Sequence, residues 1–94
     1  MLKLVGKTES GTLVLSGVFK VYETLGIPLD AIFDCLKERN AIPDWLCFYV
    51  EAVGAGMKHD RILSKLEPAI SDSYGIEMAK KVLEVLERAA NTKV

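Results

Sequence analysis

Residues 44–56, DWLCFYVEAVGAG, carry the strongest structural signal in the chain. Wound as an α-helix, this segment has apolar side chains around most of its circumference: Trp45, Leu46, Phe48, Tyr49, Ala52 and Val53. A helix that is apolar on all sides is ordinarily enclosed by other elements or by a partner. The segment therefore predicts either a central helix surrounded by the others or a helix with an aromatic face against another molecule, because Trp and Tyr are preferred interface anchors.

Glycines and prolines divide the rest of the chain into further helices. Gly26, Gly56 and Gly75 each follow an apolar periodic segment and precede an apolar residue, as at helix ends closed by a left-handed glycine. We predict helices at about residues 17–25, 28–39, 44–55, 59–66 and 76–90. Pro68 leaves two alternatives for the residues up to 74, a kinked continuation of the fourth helix or a separate short helix.

A weak internal repeat suggests how these helices pair. Residues 26–36 align with residues 56–66, and both segments have Gly, Asp, Ile and Leu at the same relative positions. Two αα-hairpins built alike explain this similarity, since the shared residues stop one helix and start the next. The predicted fold class is mainly α, with four or five short helices in an αα-hairpin arrangement.

Residues 1–15 predict a short β-hairpin before the helical residues 16–94, because leucines alternate loosely on either side of the polar segment 6–11. A helix from Ser10 to Leu25 fits the same residues. The hairpin is favoured because Val14 is β-branched and Gly17 inside a helix would cost about 1 kcal/mol. Ser16 is then predicted to cap the first helix.

Length and composition restrict the classes of function. A chain of 94 residues forms one domain, which excludes a multidomain enzyme. Half of the residues are hydrophobic and the mean hydropathy is +0.22, as in a folded domain rather than a disordered one. Twelve basic and 13 acidic residues leave a net charge of −1, without the cationic field typical of nucleic-acid or membrane binding. The apolar runs are too short to span a bilayer and there is no signal-peptide pattern, so a cytoplasmic location is expected.

The sequence has few residues in patterns that support catalysis. It contains no Gly-rich phosphate loop, no nucleophile elbow and no metal-spaced Cys/His set. Cys35 and Cys47 are predicted to be small core residues, and His59 is predicted to be a solvated side chain at a helix start. Asp30 and Asp34 share a helix face that is predicted to be solvated. We therefore predict no catalytic residue, no metal and no cofactor, and a protein that is not an enzyme.

Self-association is the leading functional prediction. A domain of this size leaves apolar surface that one chain does not fully cover. The last predicted helix adds an apolar stripe that could cap the domain or form half of a dimer contact: Ile76, Ala79, Val82, Leu83, Leu86 and Ala90. The predicted function is a non-enzymatic protein–protein interaction or assembly module, most simply a homodimer. Its predicted interface residues are Trp45, Phe48, Tyr49, Leu83 and Leu86.

The alternative prediction is a small nucleic-acid-binding regulator. Lys58, Arg61 and Lys65 fall at i, i+3 and i+7, so they form a basic stripe near a helix N-terminus. Residues 29–53 also have helix-turn-helix spacing, with residues 40–43 as the turn. The would-be recognition helix, however, has no Lys or Arg to reach base edges. Nucleic acid is therefore a less favoured partner.

Overall fold

The fold is mainly α with a small sheet at its start, as the sequence predicts. The computed structural model describes residues 2–91. In chain order the elements are β1 (Lys3–Lys7), β2 (Leu13–Ser16), α1 (Val18–Leu25), α2 (Leu29–Glu38), β3 (Ala41–Pro43), α3 (Trp45–Gly54), α4 (His59–Tyr74) and α5 (Ile76–Asn91).

The β-hairpin is confirmed and the alternative helix starting at Ser10 is wrong. β1 and β2 pair antiparallel, with Lys3 opposite Ser16 and Lys7 opposite Leu13, and a bulge interrupts the register at Val5. The predicted cap at Ser16 is wrong, because Ser16 ends β2 and Gly17 is the residue that precedes α1. Gly17 has a φ of 89°, a left-handed conformation that glycine adopts without a steric penalty, so the chain can turn there from strand to helix.

Residues 40–43, predicted as a turn between helices, instead contain a third strand. β3 lies parallel to β2, which makes the sheet order β1-β2-β3. Asn40 has a φ of 53° and its carbonyl accepts a 2.9 Å hydrogen bond from the Leu13 N–H, so the chain leaves α2 directly into the sheet. A strand of three residues is too short to show alternation in sequence, which is why the periodicity did not predict it.

Pro68 lies inside one continuous helix. α4 extends from His59 to Tyr74, so the predicted end at residue 66 is wrong and the continuation is the correct alternative. Proline removes the hydrogen bond that its N–H would give to the Ser64 carbonyl, and its ring crowds the same carbonyl. Ser64 and Pro68 are both exposed, so water can satisfy that carbonyl and the helix continues.

The core lies between α4 and the helices that pack on both of its sides. α4 packs most extensively against α5 and α2, and its residues Ile62, Leu66 and Ile70 are fully buried. Phe33 from α2 is also fully buried and meets the Trp45 ring at 5.5 Å in an edge-to-face arrangement. This core places α3 against α1, α4 and α5, and leaves Leu46, Val50 and Gly54 of α3 exposed.

Candidate interaction surface

The inner side of α3 is built from aromatic and small residues. Phe48 is 3% exposed and meets Phe19 of α1 at 5.3 Å, edge to face. Ala52, one turn later, is fully buried. Trp45 contacts both Phe33 and Tyr74, the latter at 6.1 Å. These contacts anchor α3 through the same positions that the sequence marks as apolar.

The N-terminus of α3 is capped, which fixes the orientation of its outer side. The Asp44 carboxylate accepts a 3.2 Å hydrogen bond from the Cys47 N–H. The Asp44 N–H donates to the Leu15 carbonyl of β2 at 2.8 Å. α3 is therefore held both by its cap and by the sheet, so the direction in which its outer residues point is defined.

The outer side of α3 is apolar as well. Leu46 is 46% exposed and Val50 is 67% exposed, and the exposed Gly54 follows at the same four-residue spacing. At 100° per residue, Val50 lies opposite the direction shared by Phe48 and Ala52. No charged residue occupies positions 46, 50 or 54, where an ordinary surface helix is polar.

The five predicted interface residues fall into two groups. Phe48 and Leu86 are buried in the core of the single chain, which corrects their placement on a contact surface. Trp45, Tyr49 and Leu83 are half-buried, and the two aromatic residues pack against the core. The apolar side chains that α3 leaves in solvent are Leu46 and Val50 instead. Val50 was missed because apolar residues surround it in sequence, and only its position opposite Phe48 and Ala52 distinguishes it.

The predicted stripe of α5 is largely confirmed. Ala79, Val82 and Leu86 are buried, while Leu83 and Ala90 are half-buried. Ile76 is exposed, which corrects its place in the stripe. It is the first residue of α5 and directly follows Gly75.

The two cysteines are free thiols and neither is fully buried. Cys35 is exposed, so its prediction as a core residue is wrong: it lies on the outer side of α2, away from Ile32 and Leu36. Cys47 is half-buried. Burial raises the pKa of its thiol, and the nearby Glu51 carboxylate raises that pKa further. Both effects favour the protonated thiol, which is the less reactive form.

His59 is not the solvated side chain that the sequence predicts. It is half-buried, and its Nδ1 lies 2.8 Å from the Tyr49 Oη in a hydrogen bond. The two rings meet edge to face at 5.7 Å. The pair joins the first residue of α4 to the flank of α3, so the histidine has a structural partner.

Asp34 also has a partner that the sequence did not reveal. Its carboxylate accepts a 2.6 Å hydrogen bond from the Oγ of Ser73, which is almost fully buried in α4. The predicted solvated face of Asp30 and Asp34 therefore contributes a contact between α2 and α4.

The residues of the basic stripe do not share one uniform surface. Lys58 and Arg61 are exposed, whereas Lys65 is half-buried. Lys65 lines an open groove of about 340 Å³ together with two carboxylates, Asp30 and Asp72. These carboxylates reduce the positive potential that a phosphate backbone would meet at Lys65.

Within residues 2–91 there is no group of three or more His, Cys, Asp or Glu side chains placed to hold a metal ion. Across the same residues, no helix has the length and apolar character that crossing a membrane requires. Comparison of the chain with protein-family models, with curated proteins and with solved structures finds no match.

Proposed function

We propose that this protein is a non-enzymatic interaction module that assembles as a homodimer through the outer side of α3. The observation that carries the proposal is Val50, a valine that is 67% exposed at the centre of a helix side without charges. In a single chain this exposure gives no stability. Burial against a second copy removes the same apolar area from water.

The outer side of α3 is complementary to itself. In a two-fold contact the same surface patch is used by both subunits. If two α3 helices pack antiparallel about an axis at Val50, Leu46 of one copy lies opposite Gly54 of the second copy. Gly54 has open space where a Cβ would stand, so the larger leucine can occupy it. A large residue against a small one on both sides of the axis allows the two helices to approach closely.

Charge and area are consistent with this arrangement. The net charge of −1 produces little repulsion between copies, and Glu51 is the single charged residue within α3. Burying Leu46 and Val50 on both copies contributes about 1 kcal/mol for each side chain. Association itself costs at least about 4 kcal/mol, so this patch forms the centre of a larger contact. A typical interface buries about 800 Å² on each partner. That area is a small part of the 5970 Å² of accessible surface on this chain, so a contact of ordinary size fits.

The cytoplasmic location belongs to the same proposal. Both cysteines are free, including the exposed Cys35. An exposed thiol is compatible with a reducing compartment, where thiols stay unpaired. We do not propose the nucleic-acid alternative as a second function, because Lys65 shares its groove with Asp30 and Asp72.

The direct test is the oligomeric mass of a Val50→Lys variant. Lysine at the two-fold axis places two ammonium groups together and removes the central apolar contact. We expect a dimer for the natural sequence and a monomer for the variant in sedimentation velocity at micromolar concentration. Val85→Lys on α5 is the matched control, since Val85 is also an exposed valine inside a helix.

The control should keep the dimer mass. A natural-sequence protein that sediments as a monomer over the whole micromolar range would contradict the proposal. Equal disruption by Val50→Lys and Val85→Lys would contradict a contact centred on α3.

A further inference from the structure

The two outer edges of the sheet differ in whether their backbone groups are already satisfied. On the β3 edge, the Tyr74 hydroxyl donates a 2.8 Å hydrogen bond to the Ala41 carbonyl. Pro43 has no N–H to offer, and α2 packs beside the strand. With one outer carbonyl already bonded and one outer N–H missing, the β3 edge is closed to a further strand.

The β1 edge is open. Among residues 2–91, no backbone hydrogen bond joins the outer side of Lys3–Lys7 to another segment. Alternate N–H and C=O groups of an edge strand point away from the sheet and remain available to an added strand. Leu4 is 60% exposed and Val5 is 56% exposed, so apolar side chains accompany these free backbone groups.

Charge decides which kind of strand can pair with this edge. Lys3 and Lys7 stand at the two ends of β1, and neither forms an ion pair within the part of the chain that the structure describes. An antiparallel second copy that pairs all five residues of β1 places Lys3 opposite Lys7 at both ends. An in-register parallel copy also opposes lysine with lysine. Like charges directly opposite each other destabilise a strand pair, so a second β1 is disfavoured in the two registers that pair all five residues.

We propose that the outer edge of β1 binds an extended segment of a different protein, with apolar residues at its centre and carboxylates at its two ends. Main-chain hydrogen bonds to β1 supply the affinity, and contacts with Leu4 and Val5 supply the apolar burial. The carboxylates meet Lys3 and Lys7. The bulge at Val5 bends the edge, which favours a short segment over a long flat strand.

Three synthetic five-residue peptides, acetylated and amidated, test this proposal on the full-length ¹⁵N-labelled chain. The first has β-branched residues at its three central positions and glutamate at both ends. The second has lysine at both ends, and the third is the acidic peptide with proline at its centre. We expect the acidic peptide to shift the amide signals of residues 2–8, and to bind about tenfold more tightly than the lysine-ended peptide at low salt. The proline peptide should bind more weakly, since it lacks a central N–H.

A charge exchange in the protein supplies the reciprocal test. Lys3→Glu combined with Lys7→Glu should reverse the preference, so that the lysine-ended peptide becomes the tighter ligand. Both lysines are exposed, so this variant should retain the fold, which the amide spectrum reports. Equal binding of the acidic and basic peptides, or shifts located away from β1, would overturn the proposal. So would concentration-dependent shifts of β1 in protein alone, because these would identify a second copy as the occupant.

The same titration on the Val50→Lys variant separates this inference from the proposed dimer. The variant should bind the acidic peptide with unchanged affinity, because α3 and β1 are different surfaces. Loss of the dimer with retained peptide binding supports both proposals. A natural-sequence monomer that still binds the acidic peptide contradicts the dimer alone, and a natural-sequence dimer that binds no peptide contradicts the β1 proposal alone.

Discussion

Helices α3 and α5 pack against each other and both bury an apolar inner side, but their outer sides differ in charge. α5 buries Ala79, Val82 and Leu86, and its exposed Val85 stands next to Glu84, which forms a 3.3 Å ion pair with Arg88. α3 buries Phe48 and Ala52 but leaves Leu46 and Val50 in solvent. The fold of one chain explains every apolar residue on the inner side of both helices. It does not explain the outer side of α3, which is why that surface is assigned to association.

The largest expected effect comes from truncating one buried apolar residue of α5 and comparing it with one exposed apolar residue of α3. Leu86 is fully buried in α5, so Leu86→Ala should lower the free energy of unfolding by about 3 kcal/mol through lost burial and a cavity. Val50→Ala should leave the unfolding free energy of the monomer within about 0.5 kcal/mol, because its side chain is mostly in solvent. Urea denaturation of both variants, at concentrations low enough for the monomer to dominate, measures the two values.

Association should respond in the reverse order. Leu86→Ala should leave the dimer dissociation constant of the folded protein unchanged, since Leu86 does not reach the surface. If Leu86→Ala instead weakens the dimer while the unfolding free energy stays constant, the assignment of Leu86 to the core is wrong and α5 belongs to the contact.

The second test fills the space at Gly54. Gly54→Leu adds a side chain where nothing lies within 4 Å in one chain. The monomer should become slightly more stable, because glycine is a poor helix former. In the dimer the new leucine occupies the position of Leu46 from the second copy, so dissociation should become at least about tenfold easier, or about 1.4 kcal/mol. Sedimentation equilibrium measures this constant.

Lys81→Leu on α5 is the control for an added apolar residue. Lys81 is exposed, so the substitution increases surface hydrophobicity on a different helix. It should not weaken the dimer. If Gly54→Leu dimerises as well as the natural sequence, the two-fold arrangement centred on Val50 is wrong.

The sequence predicted the elements more completely than it predicted the surfaces. Helix positions followed from glycine stops and apolar spacing, which are local signals; Gly26 indeed adopts the left-handed conformation, with a φ of 68°. β3 was missed because its pairing with β2 depends on contacts distant in sequence. The outer side of α3 was missed for a related reason. Periodicity shows that a helix is apolar all round, but only the packing of Phe48 and Ala52 shows which side the chain covers.

The smallest expected effect concerns the flank of α3, where Tyr49 differs from Val50 by having a partner within the chain. Tyr49→Phe removes the 2.8 Å hydrogen bond to His59 Nδ1 and keeps the ring, so it should lower the unfolding free energy by about 1 kcal/mol. Tyr22→Phe is the control, because Tyr22 is another half-buried tyrosine with a ring contact, at 6.1 Å from Phe19. Urea denaturation should separate the two variants, while the dimer constant stays the same for both. An equal loss in both variants would mean that the bond to His59 adds nothing to stability, and that the flank of α3 is held by ring packing alone.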